Sequence, residues 1–331
     1  MTTSKISRRA FSCGMATMAI TPALSALKPR EAWAEAFPSR PLKLVVGFPA
    51  GGPTDVVARL VAEAMSRDLG RQIVVENIGG AGGNLGAQSV ARAAADGYTL
   101  HLATAGTHGI NQWLYKSVGY DHLKDFAAVG YIGSAPNIVV VHPKLGARTF
   151  DEFIAVARSR MLNVAIAGWG TTPHMTGELL KATAGVSFQY VTYRGGGPAL
   201  NDLIAGHVDV MIDAVLTSAQ FVKEGHIIGL AVSSRTRSAI LPDIPTISET
   251  LPGFEAIAWW GLSVPAKTDP AIVTLLNSKL NAQLQAPELV TRLEELGVHA
   301  EPSTPDAFAT FVERETRKWQ EVVAKTSTSI Q

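Results

Sequence analysis

The sequence predicts an α/β fold built as two doubly wound lobes, and three observations carry that expectation. From Pro41 onward, short β-branched runs alternate with helical stretches, the pattern of βαβ units and parallel sheets. The alternation comes in two series that part near Ala135. The chain of 331 residues is long enough for two cores of ordinary domain size even without its N-terminal segment.

In the first series, Leu42 to Val46 reads as a strand and Thr54 to Leu69 as a helix, with Val57, Leu60, Val61, Ala64 and Met65 on a 3.6-residue period. Gln72 to Glu76 is the next strand, followed by a glycine-rich loop and a helix from about Leu85 to Ala94. Asp96-Gly97 signals a turn before a third strand, Tyr98 to Ala103. The second series places strands at Asn137 to Val141, Asn163 to Ala167, Phe188 to Val191, Val208 to Asp213 and Ile228 to Ser233. Helices between them span Phe150 to Arg158, His174 to Ala184, Ala199 to Ala205 and Ser218 to Lys223. Pro242, Pro245 and Pro252 punctuate an irregular connection, after which Ala258 to Val264 returns to the first lobe as a strand. Three helices close the chain, Pro270 to Gln285, Pro287 to Leu296 and Pro305 to Lys325. Each starts with proline, whose missing amide costs nothing in a first turn.

Residues 1–34 carry the three parts of a secretory signal: a basic start, an uncharged stretch from Ala10 to Leu27, and cleavage candidates after Ala34 or Ala36. Ser7-Arg8-Arg9-Ala10-Phe11 has the paired arginines of a twin-arginine address. The apolar stretch is diluted by polar residues and falls short of the roughly 20 apolar residues of a spanning helix. An ordinary secretory signal that happens to contain Arg-Arg is the alternative. Removal of residues 1–34 takes away five cations and one anion, moving the net charge from +1 to −3. A mildly acidic surface argues against nucleic acid as a partner. Cys13, the single cysteine, leaves with the signal, so disulfides and cysteine catalysis are excluded from the mature chain.

Catalytic templates find no match: G-x-x-x-x-G-K-[ST], H-E-x-x-H and G-x-S-x-G are all absent. Gly79 to Gly86 looks like a dinucleotide loop, but counting from Gly80 the last required glycine is Leu85. Positive φ and tight strand-to-helix packing explain it better than a cofactor. The eight histidines include no i,i+4 pair, so no half of a metal site is visible. Most read as surface or turn residues, with His108 and His174 set apart as pocket walls because each follows a strand in a Gly/Thr-rich loop.

The informative feature is a set of small, amide-rich loops at the carboxyl ends of strands. Phe48-Pro49-Ala50-Gly51-Gly52-Pro53-Thr54-Asp55 leads into the first helix. With Pro53 as first helical residue, the free amides near Gly52 and the positive dipole end attract an anion. Asp55 falls at the third helical position and is expected to fold back on the Gly52 amide as a capping-box acid. Gly168-Trp169-Gly170-Thr171-Thr172-Pro173-His174, Tyr193-Arg194-Gly195-Gly196-Gly197-Pro198 and Thr104-Ala105-Gly106-Thr107-His108 are three further loops of this kind. Together they describe a clamp. Asn111 and Asp213 join them as candidate ligand contacts.

These residues resemble the substrate-binding receptors of tripartite tricarboxylate transporters, also called Bug-type receptors. The resemblance spans nearly the whole mature chain. It includes Phe48-Pro49-Ala50-Gly51-Gly52 with Asp55, Val74-Val75-Glu76-Asn77, Asp96-Gly97-Tyr98-Thr99-Leu100, Tyr193-Arg194-Gly195, Leu241-Pro242-Asp243-Ile244-Pro245-Thr246 and Trp259-Trp260-Gly261-Leu262. It implies a type II periplasmic-binding-protein fold, with lobe I from residues 40–136 and 260–331, lobe II from 137–259, and a ligand cleft between. It implies a periplasmic, monomeric receptor, not an enzyme, without cofactor or membrane insertion. A small carboxylate ligand and the membrane subunits of a tripartite transporter are the partners it implies. The chain departs from the family at Trp169, which would wall or stack on a ligand, and at Arg194, where Lys is usual; solvent exposure of Arg194 is the favoured reading over a bidentate carboxylate contact. An exported hydrolase and a ligand-reporting sensory receptor are the competing functions.

Overall fold

A computed structural model describes residues 37–326; the signal-peptide reading of residues 1–34 lies outside the described residues. The elements in order are β1 (Leu42–Val46), α1 (Pro53–Leu69), β2 (Ile73–Asn77), α2 (Asn84–Ala91), β3 (Thr99–Thr104), α3 (Asn111–Leu114), β4 (Phe126–Val141), α4 (Phe150–Ser159), β5 (Leu162–Ile166), α5 (Thr172–Ala184) and β6 (Phe188–Thr192). They continue with α6 (Gly196–Ile204), β7 (Val210–Ala214), α7 (Val215–Lys223), β8 (Ile228–Val232), α8 (Ile247–Thr250), β9 (Ile257–Pro265), α9 (Pro270–Leu284), α10 (Pro287–Glu295), β10 (His299–Ala300) and α11 (Pro305–Thr326).

Local chemistry marks most helix starts. Thr149 and Glu152 form a reciprocal capping box on α4, Thr171 caps α5, and the Asp269 carboxylate accepts the Ala271 amide at 2.8 Å at the start of α9. Each cap is worth about 1 kcal/mol. Proline occupies the first turn of α1, α5, α9 and α10. The apolar stripe read from the sequence of α1 is buried, with Val57, Val61 and Met65 fully so.

The strands run β2-β1-β3-β9-β4-β7-β5-β6, with β8 and β10 also paired to β4. β1 is parallel to β2 and β3, and β5 is parallel to β6 and β7. β4 and β9 run antiparallel through the middle. From Phe126 to Pro136, β4 pairs with β9; from Asn137 to Val141 it pairs with β7 and β8. The chain therefore passes from one sheet to the next along β4, and β9 brings it back. The expected lobe boundaries, 136/137 and 259/260, fall inside these two strands. Asn137 ties the crossings together: its Nδ2 donates to Thr176 Oγ1 at 2.9 Å and to the Ala256 carbonyl at 3.0 Å.

The sequence reading found only the last third of β4. Gly130, Gly133 and Pro136 interrupt its first part, and the register shifts between Ala128 and Gly130 and again between Tyr131 and Gly133. Bulges of that kind erase the two-residue period on which a strand is recognised. The irregular connection also holds a short helix, α8, started by a Thr246–Glu249 capping box.

One apolar core joins α1 to Leu276 and Leu280 of α9 and extends to Leu200 and Leu203 of α6. Another gathers Phe150 and Phe153 of α4, Met175 and Leu180 of α5 and Trp319 of α11. α11 thus packs on β4 and on α5 alike. Among the described residues, no helix is long and apolar enough to cross a membrane.

Candidate functional site

The loops singled out from sequence lie at the carboxyl ends of β1, β3, β5 and β6, on the side where α1, α5 and α6 begin. In the first loop, Gly51 adopts φ 80° and Gly52 stands at the N-cap of α1 with extended backbone. Helix geometry leaves the amides of Thr54 and Asp55 without an intrahelical acceptor. Asp55 does not cap Gly52 as expected. Its carboxylate accepts the Gly51 amide at 2.9 Å, Arg59 Nε at 2.8 Å and Asn77 Nδ2 at 2.8 Å. The reason is tertiary: Asn77 at the end of β2 also donates to the Phe48 carbonyl at 2.9 Å, drawing the carboxylate toward the loop rather than the helix end.

Asp55 is thus a brace for the loop. Burial by itself would raise its pKa, but the Arg59, Gly51 and Asn77 hydrogen bonds and the Arg59 charge outweigh that and hold it below the ordinary value. Asp55→Ala removes the acceptor for three donors that water can reach, Gly51 and Arg59 being exposed and Asn77 half-buried, so the cost is the net worth of the lost bonds, about 1 kcal/mol. Destabilisation of that size, with weaker ligand binding through the loosened Gly51 turn, is the expected outcome. Urea denaturation of the variant checks it; an unchanged midpoint would show that the brace carries no weight.

After β3 the chain makes a π-helical turn, Gly106–Ile110, before α3. Thr104 and Thr107 spend their hydroxyls on each other, with Thr107 Oγ1 accepting the Thr104 amide at 3.1 Å. Ala105 and Thr107 are buried. His108 is turned inward rather than toward the cleft: its ring stacks on His101 at 5.2 Å and lies 4.7 Å from Phe126, with His122 at 6.5 Å. Four of the eight histidines, His101, His108, His122 and His174, are buried; the surface expectation, which set His108 and His174 apart, fails for His101 and His122. Burial holds His101 down to about 3 and His108 well below its usual range, the latter helped by the neighbouring rings. Asn111 is fully buried, donating to the Gly82 carbonyl at 3.0 Å and to Asn84 Oδ1 at 2.6 Å.

In the loop before α5, Gly168 and Gly170 take positive φ. Thr171 Oγ1 donates to the Gly168 carbonyl at 2.8 Å and accepts the His174 amide at 3.4 Å, so its hydroxyl is committed to the cap. His174 Nδ1 accepts the Gly170 amide at 3.3 Å, and burial lowers its pKa to about 4. Thr172 opens α5 and is mostly buried. Trp169 is 39% exposed, with its ring against His174 at 4.6 Å and Tyr190 at 5.8 Å.

In the third loop Tyr193 donates to Asp202 Oδ2 at 2.7 Å; burial and that carboxylate push its pKa up to about 12. Gly195 takes φ 112° ahead of α6. Arg194 is exposed, as favoured, and has no acidic partner within ion-pair distance among the described residues. Asp213, 2% exposed, sits beneath this loop, where a methyl group on Gly196 would lie 3.4 Å from its Oδ1. Burial raises its pKa, against hydrogen bonds from Thr217, Ser218 and the Ala214 amide.

The sequence reading missed Gly82, Asn84 and Tyr115, which surround Asn111, and Arg59 and Asn77, which hold Asp55. Of these only Arg59 was readable, from its i,i+4 spacing to Asp55. The Gly80–Gly83 run takes positive φ throughout, and α2 packs so close that a methyl group on Gly86 would lie 2.9 Å from the Gly47 Cα. A surface concavity bordered by Arg40, Lys43, Glu76 and Asp96 lies at the opposite ends of β1 and β3. Its charges already pair with one another, Arg40 with Asp96 at 2.9 Å and Lys43 with Glu76 at 2.6 Å, so the amide-rich loops are the better anion site. Among the described residues no group of three His, Cys, Asp or Glu side chains could hold a metal ion.

Residues 57–327 match the family described as "Tripartite tricarboxylate transporter family receptor". Protein BugT of Bordetella pertussis is 35% identical over 301 residues, covering 90% of this chain and 92% of BugT. The R. palustris protein Rpa4515, solved with adipate, superposes with a TM-score of 0.84 at 35% identity, over 88% of this chain and 99% of that one. MatC from Rhodopseudomonas palustris, solved with bound malate, has a TM-score of 0.79 at 35% identity, over 87% of this chain and 100% of that one.

Proposed function

Because the chain belongs to the tripartite tricarboxylate transporter receptor family, we propose that it captures a small carboxylate by lobe closure and presents it to the membrane subunits of a tripartite transporter. The chain is a receptor of the periplasmic-binding-protein fold, not an enzyme. Export by the twin-arginine segment, cleavage after Ala34 or Ala36 and delivery to the periplasm complete the reading. The two lobes are residues 40–136 with 260–331, and residues 137–259, with β4 and β9 as the crossings.

What supports the ligand class is the recurrence of one kind of helix start. α1, α5 and α6 each begin after a glycine- or threonine-rich loop at the end of a parallel strand. Free amides and dipole ends there favour an anion, and charge-assisted hydrogen bonds to a carboxylate are stronger than neutral ones. Within the four loops the single permanent cation is Arg194, so amides and hydroxyls, not ion pairs, hold the first carboxylate. Adipate and malate, bound by two relatives, set the size expected of the ligand. Closure removes water from these groups and strengthens each contact.

A thermal-shift screen of the mature protein against mono-, di- and tricarboxylates, after refolding to strip carried ligand, tests the reading. An acid at a hundred times its Kd should stabilise by about 2.7 kcal/mol, a rise of roughly 4 °C for a chain of this size. Absence of a shift with every acid would overturn it.

A further inference from the structure

Three glycines from different loops meet where the ends of β2, β3 and β5 face one another. A methyl group on Gly106 would lie 3.1 Å from the Gly170 carbonyl oxygen and 3.7 Å from that of Gly82. One on Gly82 would lie 2.8 Å from the Tyr115 hydroxyl and 3.3 Å from the Trp169 carbonyl oxygen; one on Gly170, 2.5 Å from Asn111 Oδ1. The loop before α5 therefore meets the Gly106 loop backbone to backbone, while the Asn111 and Tyr115 side chains fill the space between Gly170 and Gly82.

Asn111 sets the spacing of this seam. Its Nδ2 must donate to the Gly82 carbonyl, which only accepts, so the amide orientation is fixed and Oδ1 is left facing Gly170, buried and without a protein partner. Asn84 Oδ1 takes the second Asn111 proton, and the Tyr120 hydroxyl links Asn84 Oδ1 at 3.0 Å to the Thr107 carbonyl at 2.9 Å. The seam is thus braced from below.

Gly82 and Gly170 have positive φ, which by itself favours glycine. Gly106 does not. Its own backbone would accept alanine, so what disfavours a side chain at 106 is the loop across the seam, which would have to give by a few tenths of an ångström. Backbones that close can approach only where no Cβ intervenes, and close packing is lost steeply with separation.

We propose that Gly82, Gly106 and Gly170, positioned by Asn111, form a latch that holds the two lobes closed on the ligand. The latch rests on the receptor reading given above. A methyl group at 106 displaces the Gly170 loop, lowers the closed population and so lowers apparent affinity in proportion, while the separate lobes keep their cores.

Gly106→Ala tests this, with the acid that most stabilises wild type among adipate, malate, succinate and citrate as probe. The ligand-free variant should melt within about 2 °C of wild type. Its affinity should fall about tenfold or more, through faster dissociation in stopped-flow chase experiments. X-ray scattering should show ligand-driven contraction only at correspondingly higher probe concentration. Wild-type affinity and dissociation rate in G106A would overturn the latch and leave the receptor reading standing. A G106A protein that melts far below wild type without ligand would also overturn it, by making the seam part of the ligand-free fold. If no acid binds wild type, the receptor reading fails and the latch with it.

Discussion

Acidification from about pH 7.5 to about pH 5.5 is expected to remove roughly 3 kcal/mol of folding free energy through His101 and His174 alone, a sizeable part of the 5–15 kcal/mol of a typical domain. His101, His108, His122 and His174 are buried. Burial lowers all four, His101 to about 3 and His174 to about 4. An unfolded chain takes up protons near pH 6.5, whereas the native rings stay neutral, so the unfolded state binds more protons below that pH. Stability contributed by these groups is therefore fully present above about pH 6.5 and lost as pH falls, at about 1.4 kcal/mol per unit for each ring. His174 stops contributing to the slope near pH 4, where its native form also protonates.

Two carboxylates bear on the same curve. Asp213, raised by burial, works in the opposite sense, since its stabilising proton is lost as pH rises through its native value. Asp55, lowered, loses its contribution only as pH falls below the ordinary carboxylate range, under the histidine window. Urea titrations across pH 5.5–7.5 should show a falling midpoint at constant slope. His101→Leu, which removes a ring with both nitrogens unpartnered, should flatten the dependence by about one proton. A midpoint that does not move with pH would mean the rings are not buried neutral.

Gly170→Val should abolish carboxylate binding, by more than a hundredfold, while the protein still folds. Valine at φ 73° is strained, at about 1–2 kcal/mol or more for a β-branched residue in the left-handed region. The larger effect is steric, because the new Cβ would stand 2.5 Å from Asn111 Oδ1, which is pinned through Nδ2. Relief requires the whole loop before α5 to withdraw, carrying the α5 start away from the cleft. Gly51→Val separates the two causes, since φ is 80° there but nothing lies within 4 Å. It should weaken binding less. Calorimetry on both variants decides; tight binding in Gly170→Val would place the pocket elsewhere.

Elements whose signals are local were legible. The helices α1, α4, α5 and α9–α11 are announced by an apolar period together with a cap or proline at the start, as at Pro53, Thr149, Thr171 and Asp269. The amide-rich loops stood out because glycine and threonine before a helix have a specific backbone consequence. The first part of β4 was not legible, because its bulges are set by pairing with β9. Nor was the commitment of polar groups. Tyr193 gives its hydroxyl to Asp202, Asp213 is closed off by Thr217 and Ser218, and His108 faces His101.

What the sequence by itself determined is the order of the longer strands and helices and the family, since each rests on residues adjacent in the chain or in a fixed linear order of motifs. Only the tertiary structure decided which site side chains are spent on the fold and which backbones touch. Hydrogen-bond partners such as Asn77 for Asp55, and the meeting of Gly106 with Gly170, join residues brought together by packing across the sheets, and no local pattern encodes those distances.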